Sequence, residues 1–240
     1  MLPIIATPKY DMIVPSTGQT VTYRPYVVKE EKILLIALES NDEILIEKSV
    51  VDIIKACIES PLKINDLTTF DIEYIFITLR SKSVGEGIKL LVDCEVEECD
   101  GQTDVKIDLD EIFVSNLESE EEIKNSKHIE LNDDISMDLR WLKASDRLPA
   151  SMRKTQTDTV INTVAKSIET IYSGEDIHAA KDATQNELVE FVESLNTDQF
   201  AKVLEFMDST PALTHDLKYK CAKCGHEHDR ELKGLSDFFI

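Results

Sequence analysis

The spacing of hydrophobic positions along this chain switches between helical and strand-like periods, and the switches divide it into regions. From residue 29 to 82 the period is helical. Lys29-Glu30-Glu31-Lys32 opens one helix, and its apolar run Ile33 to Leu38 is continuous, so it is expected to be buried on most faces. A second helix, near Ile44 to Glu59, sets Ile46, Val50, Ile53, Ile54 and Cys57 at three- and four-residue spacing and ends at Pro61. Cys57 reads as a plain core cysteine. A third helix starts after Thr68 or Thr69 as N-cap, with Asp71 and Glu73 in its first turn, where the helix dipole favours acids.

From residue 86 to 115 the alternation becomes strand-like: Lys89 to Asp93 and Val105 to Leu109 predict two strands. Residues 116 to 127 are acidic and polar and read as an exposed loop or hairpin tip. His128 to Leu131 and Ile135 to Leu142 alternate again and predict two further strands, with Trp141 as a packing anchor. Residues 151 to 210 return to helical spacing. Val160, Ile161, Val164, Ile168 and Ile171 share one face, and Gly174 is expected to stop that helix. Thr184-Gln185-Asn186-Glu187 forms a capping box ahead of Leu188, Val189, Phe191 and Val192. Asn196-Thr197 caps a helix through Phe200, Val203, Leu204 and Met207, closed by Pro211. The opening 28 residues, punctuated by Pro3, Pro8, Pro15, Gly18 and Pro25, read as an extended arm with a strand at Val21 to Tyr23. The arm is too apolar for a free linker, so it either folds back on its own domain or docks on another subunit.

The expected fold class is therefore α+β. A helical N-terminal region precedes a β-hairpin-rich middle, and a helical C-terminal region ends in a zinc-ribbon-like hairpin. The expected regions are the arm 1–28, a helical region 29–85, a β-rich region 86–148, a helical region 149–210 and a terminal hairpin 211–240, or one continuous body made of all five.

Composition narrows the function classes. The net charge of −21, from 47 acidic against 26 basic residues, repels nucleic-acid backbones and anionic membranes, and no basic patch offsets it. No stretch of about 18 apolar residues predicts a membrane span, and Met1 to Ala6 lacks the basic start and apolar run of a secretory signal. Five cysteines without such a signal point to a reducing compartment, where paired cysteines mean metal more often than disulfide.

The candidate chemistry sits in two places. Cys221-Ala222-Lys223-Cys224-Gly225 is a knuckle whose tight turn points two sulfurs at one ion, followed at once by His226 and His228. Cys94 and Cys99, followed by Asp100-Gly101, repeat the arrangement: strand, two cysteines, glycine, returning strand, then a short apolar end. Tetrahedral zinc needs four ligands. Either Cys94, Cys99, Cys221 and Cys224 form one four-thiolate site that ties middle to end, or Cys221 and Cys224 use His226 and His228 locally. A chain with no metal is the remaining reading. Redox chemistry would want the cysteine pair at a helix N-terminus. His226-Glu227-His228 lacks the helical spacing of a zinc protease, and Gly85-Glu86-Gly87 lacks the Lys and Ser/Thr of a phosphate loop. No catalytic residues are assigned, and no small-molecule substrate is expected.

Three segments carry a family resemblance: Tyr23-Arg24-Pro25-Tyr26-Val27-Val28-Lys29-Glu30-Glu31-Lys32-Ile33-Leu34-Leu35, Phe70 to Phe76, and Leu79-Arg80-Ser81-Lys82-Ser83-Val84-Gly85-Glu86. With the cysteine hairpins and the Gly-Leu-x-x-Phe-Phe end, they resemble the baseplate hub protein family of T-even-type, contractile-tailed bacteriophages. The resemblance implies a non-enzymatic hub component or hub-assembly chaperone that binds other baseplate hub and tail proteins. It would act in the host bacterial cytoplasm during assembly or in the virion baseplate, with structural zinc. Tyr23, Arg24, Lys29, Glu30 and Lys32 are the candidate partner-binding residues, or else the charged ones among them are solvated helix-start charges. A zinc-ribbon module that binds nucleic acid is the alternative, and the net charge opposes it.

Overall fold

The computed structural model describes residues 5–117, 128–146, 148–149, 152–153 and 155–238. Among the described residues, six α-helices and eleven strands form a mixed α+β chain. It divides into two compact units, one of Met1–Ser115 with Pro211–Ile240, the other of Asn116–Thr210. The acidic segment 118–127 and the terminal Phe239 and Ile240 lie outside the described residues.

The first unit opens with a hairpin, β1 (Tyr10–Ile13) and β2 (Thr20–Tyr23), turned at Gly18. The arm thus folds back on its own unit. Met12, Val14, Val21 and Tyr23 are buried, the Arg24 N–H donates to the Cys57 carbonyl, and Ser16 donates to Asp71 through both its N–H and its hydroxyl. Three helices follow: α1 (Val28–Glu39), α2 (Glu43–Cys57) and α3 (Thr69–Val84). Thr68 caps α3, accepting from the Asp71 N–H while the Asp71 carboxylate accepts from the Thr68 N–H, a closed capping box.

The continuous apolar run in α1 does not produce the expected all-round burial. Leu34 and Ala37 are buried, whereas Ile33, Leu35 and Ile36 are each about half exposed, at 47, 52 and 53 %. The helix packs along α2, and a cylinder packed on one side leaves the opposite residues in solvent whatever their type.

After α3 come β3 (Gly87–Asp93), β4 (Gln102–Asp108) and β5 (Phe113–Ser115). β3 and β4 pair antiparallel over their whole length. The chain returns to this unit with β10 (Ala212–Lys220) and β11 (Glu227–Lys233), giving a three-stranded sheet in the order β11-β10-β5. Alternate residues of all these strands face one core with α3, including Ile77, Leu90, Ile107, Leu213, Leu217 and Leu232.

The second unit contains β6 (His128–Glu130), β7 (Ile135–Leu139), α4 (Gln156–Ser167), β8 (Ile168–Ser173), β9 (Asp176–Ala179), α5 (Gln185–Glu193) and α6 (Thr197–Ser209). Its sheet runs β6-β7-β8-β9, antiparallel throughout. The expected helix through Ile168 and Ile171 is corrected here: α4 stops at Ser167, and Ile168–Ser173 is a strand. Isoleucine, threonine and tyrosine crowd this stretch and fit a pleated sheet better than a helix. Gly174, with φ of 59°, makes the two-residue turn into β9 rather than a helix stop. Met137, Leu139, Ile168, Val192, Val203 and Phe206 centre the core, and Trp141 packs against it as expected.

Candidate metal centre

Two hairpins of the first unit end in cysteines, and they are built alike. The Cys94 N–H donates to the Gly101 carbonyl at 2.8 Å, and the Cys221 N–H donates to the His226 carbonyl at 2.8 Å. Each bond closes a loop immediately before the returning strand, β4 in one case and β11 in the other. The first loop is longer because Cys94 and Cys99 bracket four residues, whereas Cys221 and Cys224 bracket two. In the shorter knuckle the Gly225 N–H donates to the Cys221 carbonyl, and Gly225 takes φ of 75°, which a side chain would disfavour.

The two loops meet. The Cys94 and Cys224 sulfurs are 3.6 Å apart, and those of Cys99 and Cys221 are 3.8 Å apart. All four sulfurs lie within 4.8 Å of one another, and among the described residues they are the group of His, Cys, Asp and Glu ligand atoms so assembled. With a zinc–sulfur bond of about 2.3 Å, neighbouring sulfurs of a tetrahedral site are about 3.8 Å apart. A disulfide would bring them to about 2.05 Å. The spacing therefore fits four ligands around one ion, and all four cysteines are free thiols. Such a cluster could hold a metal ion.

The surroundings fit the same use. A Cβ on Gly101 would stand 2.8 Å from the Cys221 sulfur and 3.1 Å from that of Cys99, so glycine is what lets the loops close on each other. The hairpins are also joined around the sulfurs: the Ala222 N–H donates to the Thr103 hydroxyl, the Tyr219 hydroxyl donates to the Asp93 carbonyl, and Lys223 pairs with Asp100. Backbone N–H groups of Cys224 and Lys223 point at the Cys221 sulfur and hold its pKa down to about 6, so it favours the thiolate that a metal requires. At Cys94 a backbone donor at Val96 acts in the same direction, but burial and the neighbouring sulfurs outweigh it and push the thiol up to about 12.

His226 and His228 lie outside the group of four sulfurs. The His228 Nε2 is 3.3 Å from the Cys94 sulfur, within hydrogen-bonding reach for a sulfur partner, while the His226 and His228 rings meet in a T-shaped arrangement.

The five residues singled out near the start of α1 have different fates. Tyr23 and Glu30 are each only 2 % exposed and present no surface. The Arg24 guanidinium donates to Glu30 and to the Ala56 carbonyl, which clamps the start of α1 to the end of α2. Burial pushes the Glu30 carboxyl up, but hydrogen bonds from Arg24, the Val27 N–H and Lys29 outweigh it and hold its pKa below the usual value. Lys29 and Lys32 stay in solvent. Sequence reasoning missed Arg24–Glu30 as an inward pair, because the residues that bury it are distant in the chain.

Fold and site together define an α+β chain with a four-cysteine cluster suited to a metal ion. Residues 7–240 match the family model described as T4 bacteriophage base plate protein, and the chain belongs to that family. No curated protein and no solved structure matches it significantly. Among the described residues, no helix is long and apolar enough to cross a membrane.

Proposed function

We propose that the chain is a non-enzymatic part of the central hub of the baseplate, or a chaperone that assembles the hub, and that it works by binding other hub and tail proteins. The single observation behind this is the family match along residues 7–240. The site supports it: four sulfurs gathered between two hairpins of one unit serve to join them, and a metal with four protein ligands has no open position for a substrate. The metal is zinc, held by Cys94, Cys99, Cys221 and Cys224, because four thiolates in a tetrahedral spacing suit it. Of the segment proposed to meet partners, the accessible Lys29 and Lys32 carry that role, beside the exposed Val28. The protein acts in the host cytoplasm during assembly, or in the tail baseplate.

Deleting the gene from the phage tests the reading. The expected result is a block in hub assembly and loss of infectivity. Intact hubs and full infectivity would sink it. Mass spectrometry of purified virions then separates the two roles, since a hub component is present in them and a chaperone is not. Metal analysis of purified protein tests the zinc: one ion per chain is expected, lost on Cys94→Ser. Zinc content unchanged in that variant would remove Cys94 from the site.

A further inference from the structure

β11 is a charged strand, Glu-His-Asp-Arg-Glu-Leu-Lys, in which one polar residue is almost wholly buried. His228 is 6 % exposed. A buried imidazole needs a partner for its polar atoms. Its Nε2 faces the Cys94 sulfur at 3.3 Å. Its Nδ1 faces Glu95 at 3.8 Å, too far for a hydrogen bond. The proton of a neutral ring therefore belongs on Nε2, the nitrogen with a close acceptor, and a protonated ring carries one there as well.

The ring is held in place by a neighbour that is itself tied down. It stacks on Tyr219, its cross-strand partner, with centroids 4.7 Å apart and planes inclined by 15°. Tyr219 is in turn tied to the other hairpin by its hydroxyl bond to the Asp93 carbonyl. A divalent ion with four thiolates leaves a net charge of two minus, buried in part, in a chain already at −21. Donors aimed at the sulfurs spread that charge, and for Cys94 the side-chain donor in place is His228.

We infer that His228 is a positioning residue of the metal centre, which donates its Nε2–H to the Cys94 sulfur and slows loss of the metal without ligating it. This rests on the four-cysteine metal site proposed above. The test uses the full chain loaded with zinc, and follows release to excess EDTA. His228→Phe keeps the stacking and removes the donor, and is expected to release zinc on the order of ten-fold faster. His228→Gln keeps an N–H and is expected to stay within about two-fold of the parent. Cobalt-substituted parent and variants should all show the absorption of a four-sulfur site.

Equal release from His228→Phe and the parent would overturn the inference, as would His228→Gln releasing as fast as His228→Phe. A parent cobalt spectrum with a nitrogen ligand that His228→Phe abolishes would make His228 a ligand and overturn it too. A measurement on the parent alone guards against variants that fail to fold. With a magnetic cadmium isotope in the site, the His228 Nε2 proton should show coupling to the metal through the sulfur, and no coupling on a fully loaded site counts against the bond. A parent that binds no metal at all defeats the metal site itself, an outcome separate from a loaded site indifferent to His228.

Discussion

The two units of this chain solve the same problem with different means. The second, Asn116–Thr210, is a continuous segment in which a four-stranded sheet buries one side against helices, with no cysteine at all. The first draws on segments far apart in the chain and contains all five cysteines. Its sulfur pairs join residues 130 and 122 positions apart. A cross-link that closes a loop of this length removes about 5 kcal/mol of unfolded-chain entropy. Distant segments must meet before their contacts repay that cost, so a strong local tether has most value where contacts are least local.

The largest test of this contrast is removal of the metal. If the centre holds zinc, two thermal transitions are expected. Chelation or Cys221→Ser should lower the one belonging to the first unit by more than about 10 °C and leave the other in place. Calorimetry with and without chelator reads this, and equal shifts of both would erase the distinction. Phe206→Ala, in the core of the second unit, is the converse. It should cost about 3–5 kcal/mol and do so equally with and without chelator, as urea unfolding would report.

Gly101→Ala sharpens the comparison further. Its methyl would press on the Lys223 Cβ and on two sulfurs, so a loss of about 1–3 kcal/mol is expected, larger in the metal-loaded chain than in the stripped one. Comparable losses in both would mean the loops do not close on a metal. The smallest effect is on acid stability, and it touches both units. Glu30 in the first and Asp146 in the second have pKa values held down, Asp146 by the Arg140 guanidinium and the Lys143 N–H acting against burial. A depressed carboxyl gives stability that is present above its unfolded pKa, about 4, and lost as pH falls through the folded value. Glu30→Gln should flatten that acid limb for the first unit and Asp146→Asn for the second, each at a cost near about 1–3 kcal/mol at neutral pH. An acid limb unchanged by either substitution would remove these pairs from the account.

Much of this was legible in the residues, and the reasons differ from place to place. The caps at Thr68, Thr184 and Asn196 are local chemistry, so the helices they start were visible. The pairing of the two cysteine loops was one of two open arrangements, and similarity of the hairpins pointed toward it. Three things were not legible. Ile168 and Ile171 fit a helical period by chance, and pairing with β7 and β9 as neighbours makes their segment a strand. The exposure of Leu35 and Ile36 depends on how many sides of α1 are covered, which no pattern within the helix contains. The division of the β-rich region between two units followed from β5 pairing with β10, a contact across almost a hundred residues.

That last pairing has a consequence for the order of events during synthesis. Ser115 and Ala212 are opposite each other in the β5–β10 ladder, so the intervening segment leaves and re-enters the first unit at neighbouring positions. A ribosome emits that whole segment before β10 exists. At about 5–20 residues per second, Cys94 and Cys99 wait on the order of ten seconds for Cys221 and Cys224. The inserted unit has time to fold alone, and the two thiols upstream stay without their partners until the last strands arrive.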